Sequence, residues 1–230
     1  MNVVIVGAGG HGKVVVDILK HDPDVKLIGF LDDDKTLRDK VVDGIPVLGS
    51  VSSLSVLTSR YKLDGAVIAI GDNRVRAELF NKLKGLGLKP KRAIHPHALI
   101  AHDVEIGEGV VIADGAVIST GTRIGDNVII NTGVVIDHDN VIEDHAHISP
   151  GVKLAGRVNV GQYTQIGLGV TIVEDLTIGD NVTVGAGAVV LAYVPANTTA
   201  VGVPARVIKG KGPVSKSKHQ EPGPLDKPIS

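Results

Sequence analysis

Residues 134–152 read VVIDHDNVIEDHAHISPGV and crowd three histidines (His138, His145, His147) among four carboxylates (Asp137, Asp139, Glu143, Asp144). An imidazole with a carboxylate beside it is the arrangement of a general base, because the carboxylate fixes the tautomer and raises the basicity of the ring. His138 followed by Asp139 has that form. A metal site and a solvated surface are the rival readings of the same cluster. The spacing of residues 138, 145 and 147 resembles no compact zinc set, so no metal is expected.

A second stretch, VGAGGHGK, matches the dinucleotide fingerprint at Gly7, Gly9 and Gly12. Asp32, Asp33 and Asp34 lie about twenty residues on, where the fingerprint places a ribose-binding carboxylate. Backbone amides at a strand–turn–helix junction bind anions of many kinds, so the turn specifies a diphosphate cradle and not a reaction. His11 inside the turn is unusual for a nicotinamide site. It reads as a donor to a phosphate or sugar hydroxyl, or as an exposed residue of the first helical turn. Asp32 and Asp33 follow one predicted strand and Ile70-Gly71-Asp72-Asn73 follows another, so three loops converge on one sheet edge. Gly9, Gly10, His11, Asp32, Asp33, Gly71 and Asn73 are the candidate ligand contacts there.

The elements that position these residues are of two kinds. From Ile100 through Ile124, Ile148 and Ile172 to Val190, every sixth residue is aliphatic, with no insertion. Two residues before each lies a second register, mostly small or β-branched, in which Asn140 is the clear exception. A spacing of two puts both on one face of a strand, and Gly, Asn or Asp after them supplies a positive-φ turn. The period predicts a hexapeptide β-helix with three hexads to a coil. His138 then falls on a corner and His147 on an outer strand face, so the two diverge within one prism. A ligand touching both would have to sit between neighbouring subunits.

Ahead of the repeat, strands are expected at Val3–Val6, Lys26–Phe30, Ala66–Ala69 and near Lys91–Ile94, with helices at Gly12–Lys20, Ser52–Ser59 and Arg74–Leu86. Alternating β and α implies a parallel sheet. The expected division is an α/β unit over 1–94, a β-helix over 95–210 and a disordered tail over 211–230. The coil begins where a second mononucleotide half would stand, and one half suits a mononucleotide diphosphate better than a dinucleotide.

Composition narrows the classes further. Lys plus Arg number 24 against 25 Asp plus Glu, so no global field points to nucleic acid. Without cysteine there is neither a disulfide nor a thiol nucleophile. No apolar run approaches the ~20 residues of a membrane helix, and the N-terminus reads as a strand and not a signal peptide. A soluble, cytoplasmic protein is expected.

The segments GAGGHG, LDD, IAIGDN, NTGVVIDHD, HISPGVKLAG and GVPAR resemble the sugar acyltransferases of the NeuD/PglD type. These belong to the left-handed β-helix (hexapeptide) acetyltransferase superfamily, and the resemblance runs from Met1 to about Arg206. It implies acetyl-CoA as donor, no metal, a homotrimer, and an amine or hydroxyl acceptor on a sugar, often nucleotide-linked. By position it makes His138 the base, Asp139 its carboxylate partner and the Gly156 amide the oxyanion donor. His147, Gly167, Leu168, Gly185 and Ala186 would meet acetyl-CoA, while the glycine-turn residues would hold the nucleotide sugar. The family commonly has Glu where Asp139 stands, and a glycine where Ala186 stands. Three functions follow for testing: N-acetylation of a nucleotide-linked amino-sugar, O-acetylation of a sialic acid or polysaccharide hydroxyl, and non-catalytic nucleotide binding by a trimer.

Overall fold

The computed structural model describes residues 1–210; the tail expected at 211–230 lies outside the described residues. The first part contains β1 (Asn2–Val6), α1 (Gly10–Lys20), β2 (Lys26–Leu31), β3 (Val41–Val42), β4 (Ile45–Gly49), α2 (Leu54–Tyr61), β5 (Gly65–Ile68), α3 (Asn73–Gly85) and β6 (Lys89–Pro90). Its strands form one sheet in the order β3-β4-β2-β1-β5-β6, parallel except for the β3–β4 hairpin. Strand periodicity is plain in β1. Val3 and Ile5 pack with Val15, Val16 and Ile18 of α1, whereas Val4 and Val6 pack with Leu54, Phe80 and Leu83 of α2 and α3.

The turn after β1 demands glycine where chain meets chain. Gly7 has φ +104°, and a Cβ on Gly12 would strike the Gly7 carbonyl oxygen and crowd the Phe30 ring. The strand expected near Lys91–Ile94 is in fact divided. β6 borders β5, while Ala93–Ile94 already pairs with Val111–Ile112 of the coil. The Lys91 amide bonds the Ala66 carbonyl and the Ala93 amide bonds that of Val110, so the chain changes sheets across two residues. The β3–β4 hairpin was likewise not anticipated.

The rest is a three-sided prism of stacked coils. Val111 pairs with Ile129, which pairs with His147, which pairs with Gln165, a constant step of one coil. Second residues of these short strands point inward and form a single core that includes Ile112, Ile130, Ile148 and Ile166. The outward residues give each face its own character. On the first face Ala93, Val111 and Ile129 are buried under the α/β part. The second face shows Leu99, 67% exposed, Val117 and Val135, an apolar run followed by Lys153, Thr171 and Val189. The third shows Glu105 and Arg123 to solvent.

Ile148, with 0% exposure, lies mid-prism. Ile148→Ala should cost about 2–5 kcal/mol through lost transfer energy and a cavity. Val203→Ala, at a site 72% exposed, should stay within about 0.5 kcal/mol. Thermal denaturation of the two variants checks the pair.

Candidate active site

Three groups of candidate residues emerge, at three places. The corner between the second and third faces carries the first. His138 follows the strand Val135–Ile136, and its Nδ1 lies 2.8 Å from Asp139 Oδ2. An ionised carboxylate can only accept, so Nδ1 carries the proton and Nε2 presents a lone pair. The ring lies against Gly156, one coil on: a Cβ there would stand 2.6 Å from the imidazole. The Gly156 N–H makes no hydrogen bond among the described residues. Beside them Arg157 grips Asp175 with two hydrogen bonds of 2.5 and 2.8 Å.

The corner is braced from inside by Asn140, the exception in the inner register. Its Nδ2 donates to the carbonyls of Asp137 (2.7 Å), His138 (3.2 Å) and Ala155 (3.0 Å), and its Oδ1 accepts from the Val158 amide at 3.2 Å. A buried amide satisfied at both ends holds the backbone beneath His138 in one shape. The sequence marked Asn140 as irregular without showing what it does.

The second group lies where the first face meets the α/β part. The resemblance and the loop placement put Gly9, Gly10, His11, Gly71 and His147 in candidate roles, and the fold gathers His11, Gly71 and His147 around Arg76. A Cβ on Gly9, Gly10 or Gly71 would meet nothing within 4 Å, so these positions leave open space beside the N-terminus of α1. The Nε2 of His11 is fully buried without a partner among the described residues. His147 Nε2 lies 3.4 Å from Asn131 Nδ2, a neighbour the sequence did not single out. Burial first, and the Arg76 charge second, push both imidazoles down to about 4, so both are neutral at neutral pH. The Gly71 carbonyl offsets this slightly at His147. Above His147 a crevice of about 250 Å³ is lined by Gly71, Asp72, Arg74, Tyr163, Gln165 and Thr183.

The acidic residues also bind the backbone around them. Asp32 accepts from the amides of Ala8 (2.7 Å) and Asp34 (2.8 Å), tying the glycine turn to the end of β2. Asp33 accepts from the Val51 amide at 2.9 Å. Asn73 is buried, donating to the Tyr163 carbonyl (2.9 Å) and accepting from Arg76 (2.8 Å), so its amide is committed to the junction.

The third group sits on the corner between the first and second faces. Leu168 is exposed there, with Ala186 one coil on. A Cβ on Gly167 would come within 2.5 Å of the Val184 carbonyl oxygen, and one on Gly185 within 2.7 Å of Val201, so stacking itself requires these glycines. No single chain brings the three groups together.

A hexad prism with a His–carboxylate pair on one corner and a glycine-turn α/β part on one face has the architecture of a left-handed β-helix acyltransferase. Residues 2–83 match the PglD N-terminal domain. The chain is 39% identical over 114 residues to the UDP-N-acetylbacillosamine N-acetyltransferase of Bacillus subtilis, an alignment covering 48% of this chain and 50% of that protein. It thus spans about half the length of the curated relatives it matches. Solved structures align over nearly their whole length. PerB from Caulobacter crescentus, in complex with CoA and GDP-perosamine, is 38% identical with a TM-score of 0.86, covering 91% of this chain and 98% of that one. The acetyltransferase domain of PglB from Neisseria gonorrhoeae, in complex with acetyl coenzyme A, is 34% identical with a TM-score of 0.80, covering 90% and 98%. The chain belongs to the NeuD/PglD-type sugar acyltransferases.

The two depressed histidines make stability depend on pH. Folded, they titrate near 4; unfolded, near the ordinary ~6.5. Between these values the unfolded chain binds more protons, so stability rises with pH across the window and is lost as pH falls through it. Melting temperatures from pH 4 to 7 should show this slope, and a His11→Asn/His147→Asn double variant should flatten it.

Proposed function

We propose that the protein transfers the acetyl group of acetyl-CoA to the amino group of a nucleotide-linked amino-sugar. The observation that carries this reading is the His138–Asp139 pair, 2.8 Å apart and resting on Gly156. His138 Nε2 takes a proton from the acceptor nitrogen as that nitrogen attacks the thioester carbonyl. The Gly156 amide supports the oxyanion; the C–S bond breaks, and the CoA thiolate leaves and is protonated. Without cysteine in the chain, direct transfer needs no acyl-enzyme on a thiol. The open space at Gly9, Gly10 and Gly71, beside the N-terminus of α1, suits the acceptor's diphosphate. The relatives are named for UDP- and GDP-linked sugars, and such an acceptor fits here.

The complete site would form in a homotrimer. The second face separates the His138 corner from the Leu168–Ala186 corner, and its outward column opens on the apolar run Leu99, Val117 and Val135. Three prisms packed around an axis by that face bring the His138 corner of one chain to the Leu168 corner of the next. Acetyl-CoA would lie in the groove between them. Among the described residues no helix is long and apolar enough to cross a membrane.

His138→Ala should lower turnover about 10²–10⁴-fold with acetyl-CoA affinity nearly unchanged, measured by steady-state kinetics and calorimetry; activity that survives the change would remove His138 from the role of base. Mixed trimers of His138→Ala and Leu168→Asp chains, each inactive alone, should recover part of the activity. Failure to complement would place the whole site within one chain.

A further inference from the structure

Arg76 is the largest fully buried side chain of the described residues, 1% exposed, and none of its hydrogen bonds goes to a carboxylate. It projects from α3 into the junction with the coil. Nε donates to the Asn127 carbonyl at 3.0 Å, and Nη1 to those of Ile70 (3.1 Å) and Gly71 (3.3 Å). Nη2 donates to Asn73 Oδ1 (2.8 Å) and to the carbonyls of His145 (2.8 Å) and Ala146 (3.2 Å). The guanidinium fork therefore joins the backbone of the loop after β5 to that of two successive coils at one corner, with the Asn73 side chain between them.

Two of its acceptors belong to residues in a costly conformation. Asn127 and His145 have φ of 57° and 61°, the left-handed region that side chains avoid. Such residues persist where their surroundings over-determine them, and Arg76 is what grips both. The strand after His145 begins with His147, so the grip on the carbonyls of His145 and Ala146 sets where that ring stands. On the other side the grip on Ile70 and Gly71 sets the floor of the crevice above His147.

We propose that Arg76 is a positioning residue, bolting the acceptor-site loop at Gly71 to the coil that carries His147 so that both sides of the crevice keep one spacing. The proposal rests on the acetyltransferase reading for what the crevice holds, though not for the bolt itself. Lysine could not substitute, since a single ammonium has neither the five donors nor the planar fork to serve backbone on both sides.

The partners being neutral carbonyls and one amide leaves the charge unneutralised, and it acts on its surroundings. The ionisable groups facing it are His11 from α1, Asp72 from the start of α3, and His145 and His147 from the coil, with Asp126 and Asp144 behind His145. Asp72 favours the guanidinium cation, while Arg76 disfavours protonation of all three histidines. The buried cation and the burial itself thus keep the His11 and His147 imidazoles neutral behind the crevice.

Arg76→Lys and Arg76→Met separate geometry from charge. For both, the measurements are the melting temperature, kcat and KM for the nucleotide-sugar acceptor and for acetyl-CoA, and the titration of His11 and His147 by NMR of labelled imidazoles. In Arg76→Lys the protein should remain folded and the imidazoles should keep their low titration, while kcat/KM for the acceptor falls at least tenfold. In Arg76→Met both imidazoles should titrate at higher pH. Guanidinium chloride added to Arg76→Ala should restore part of the lost activity at concentrations that leave the wild type unaffected. A folded Arg76→Lys protein with wild-type kcat/KM would show that the guanidinium fork does not position the acceptor site and overturn the proposal, as would unmoved imidazoles in Arg76→Met. If the wild type acetylates no nucleotide amino-sugar, the functional reading fails, and the titrations still judge Arg76.

Discussion

Backbone hydrogen bonds that step from each coil to the next set the terms for every functional residue. Ile129 hands its amide to Ala146, His147 to Thr164 and Gln165 to Val182, and the repetition leaves no freedom in where a strand residue points. Inward positions are filled by Ile, Val and Ala. Side chains with chemistry are therefore confined to outward strand positions and to corners. The polar residues admitted inside, such as Asn140 and Thr164, are bonded there. Thr164 donates to the Gly179 carbonyl at 2.7 Å and accepts from the Val182 amide at 3.0 Å. Unpaired, either would carry the desolvation cost of a buried polar group, about 1–3 kcal/mol.

That confinement gives one residue type two chemistries. His138, on an exposed corner, has a carboxylate 2.8 Å away to receive a positive charge. His147, on a covered face, has a buried guanidinium among its neighbours and is held neutral. A general base must accommodate a proton when the bond forms, and only the corner offers the charge to stabilise it. The enclosed ring is suited to a neutral hydrogen bond, with Asn131 already beside it. In the proposed mechanism it is environment, not identity, that separates the two rings.

The prism was legible because its signal is a period, repeated at every coil and unbroken by insertions. The His138–Asp139 pair was legible because it interrupts that period at a corner, and adjacent residues need no tertiary information to meet. Arg76 was hidden. In sequence it is an ordinary helical arginine of Arg74–Leu86, and its partners Asn127 and His145 lie 51 and 69 residues away. Asp32 and Asp33 matched a fingerprint position, yet their oxygens meet amides of Ala8, Asp34 and Val51, which a motif cannot show. The transfer of Ala93–Ile94 to the coil was invisible for a related reason: the two sheets begin pairing within a stretch too short to carry a period of its own.

The corners themselves separate structure from function. Between the first and second faces the left-handed residue is glycine in coil after coil: Gly115, Gly133, Gly151, Gly169 and Gly187. Between the second and third it is Gly121, then Asp139, Arg157 and Asp175, and between the third and first Gly109, then Asn127, His145, Tyr163, Asn181 and Asn197. Glycine adopts this conformation freely, whereas other residues lose roughly 1–2 kcal/mol each. The all-glycine corner escapes that cost. At the other two, each gripped residue has a compensating interaction: Asp139 with His138, Arg157 with Asp175, and the carbonyls of Asn127 and His145 with Arg76. Side-chain residues at positive φ thus gather on the corner that carries His138 and the corner that Arg76 grips, whereas the Leu168 corner turns on glycine.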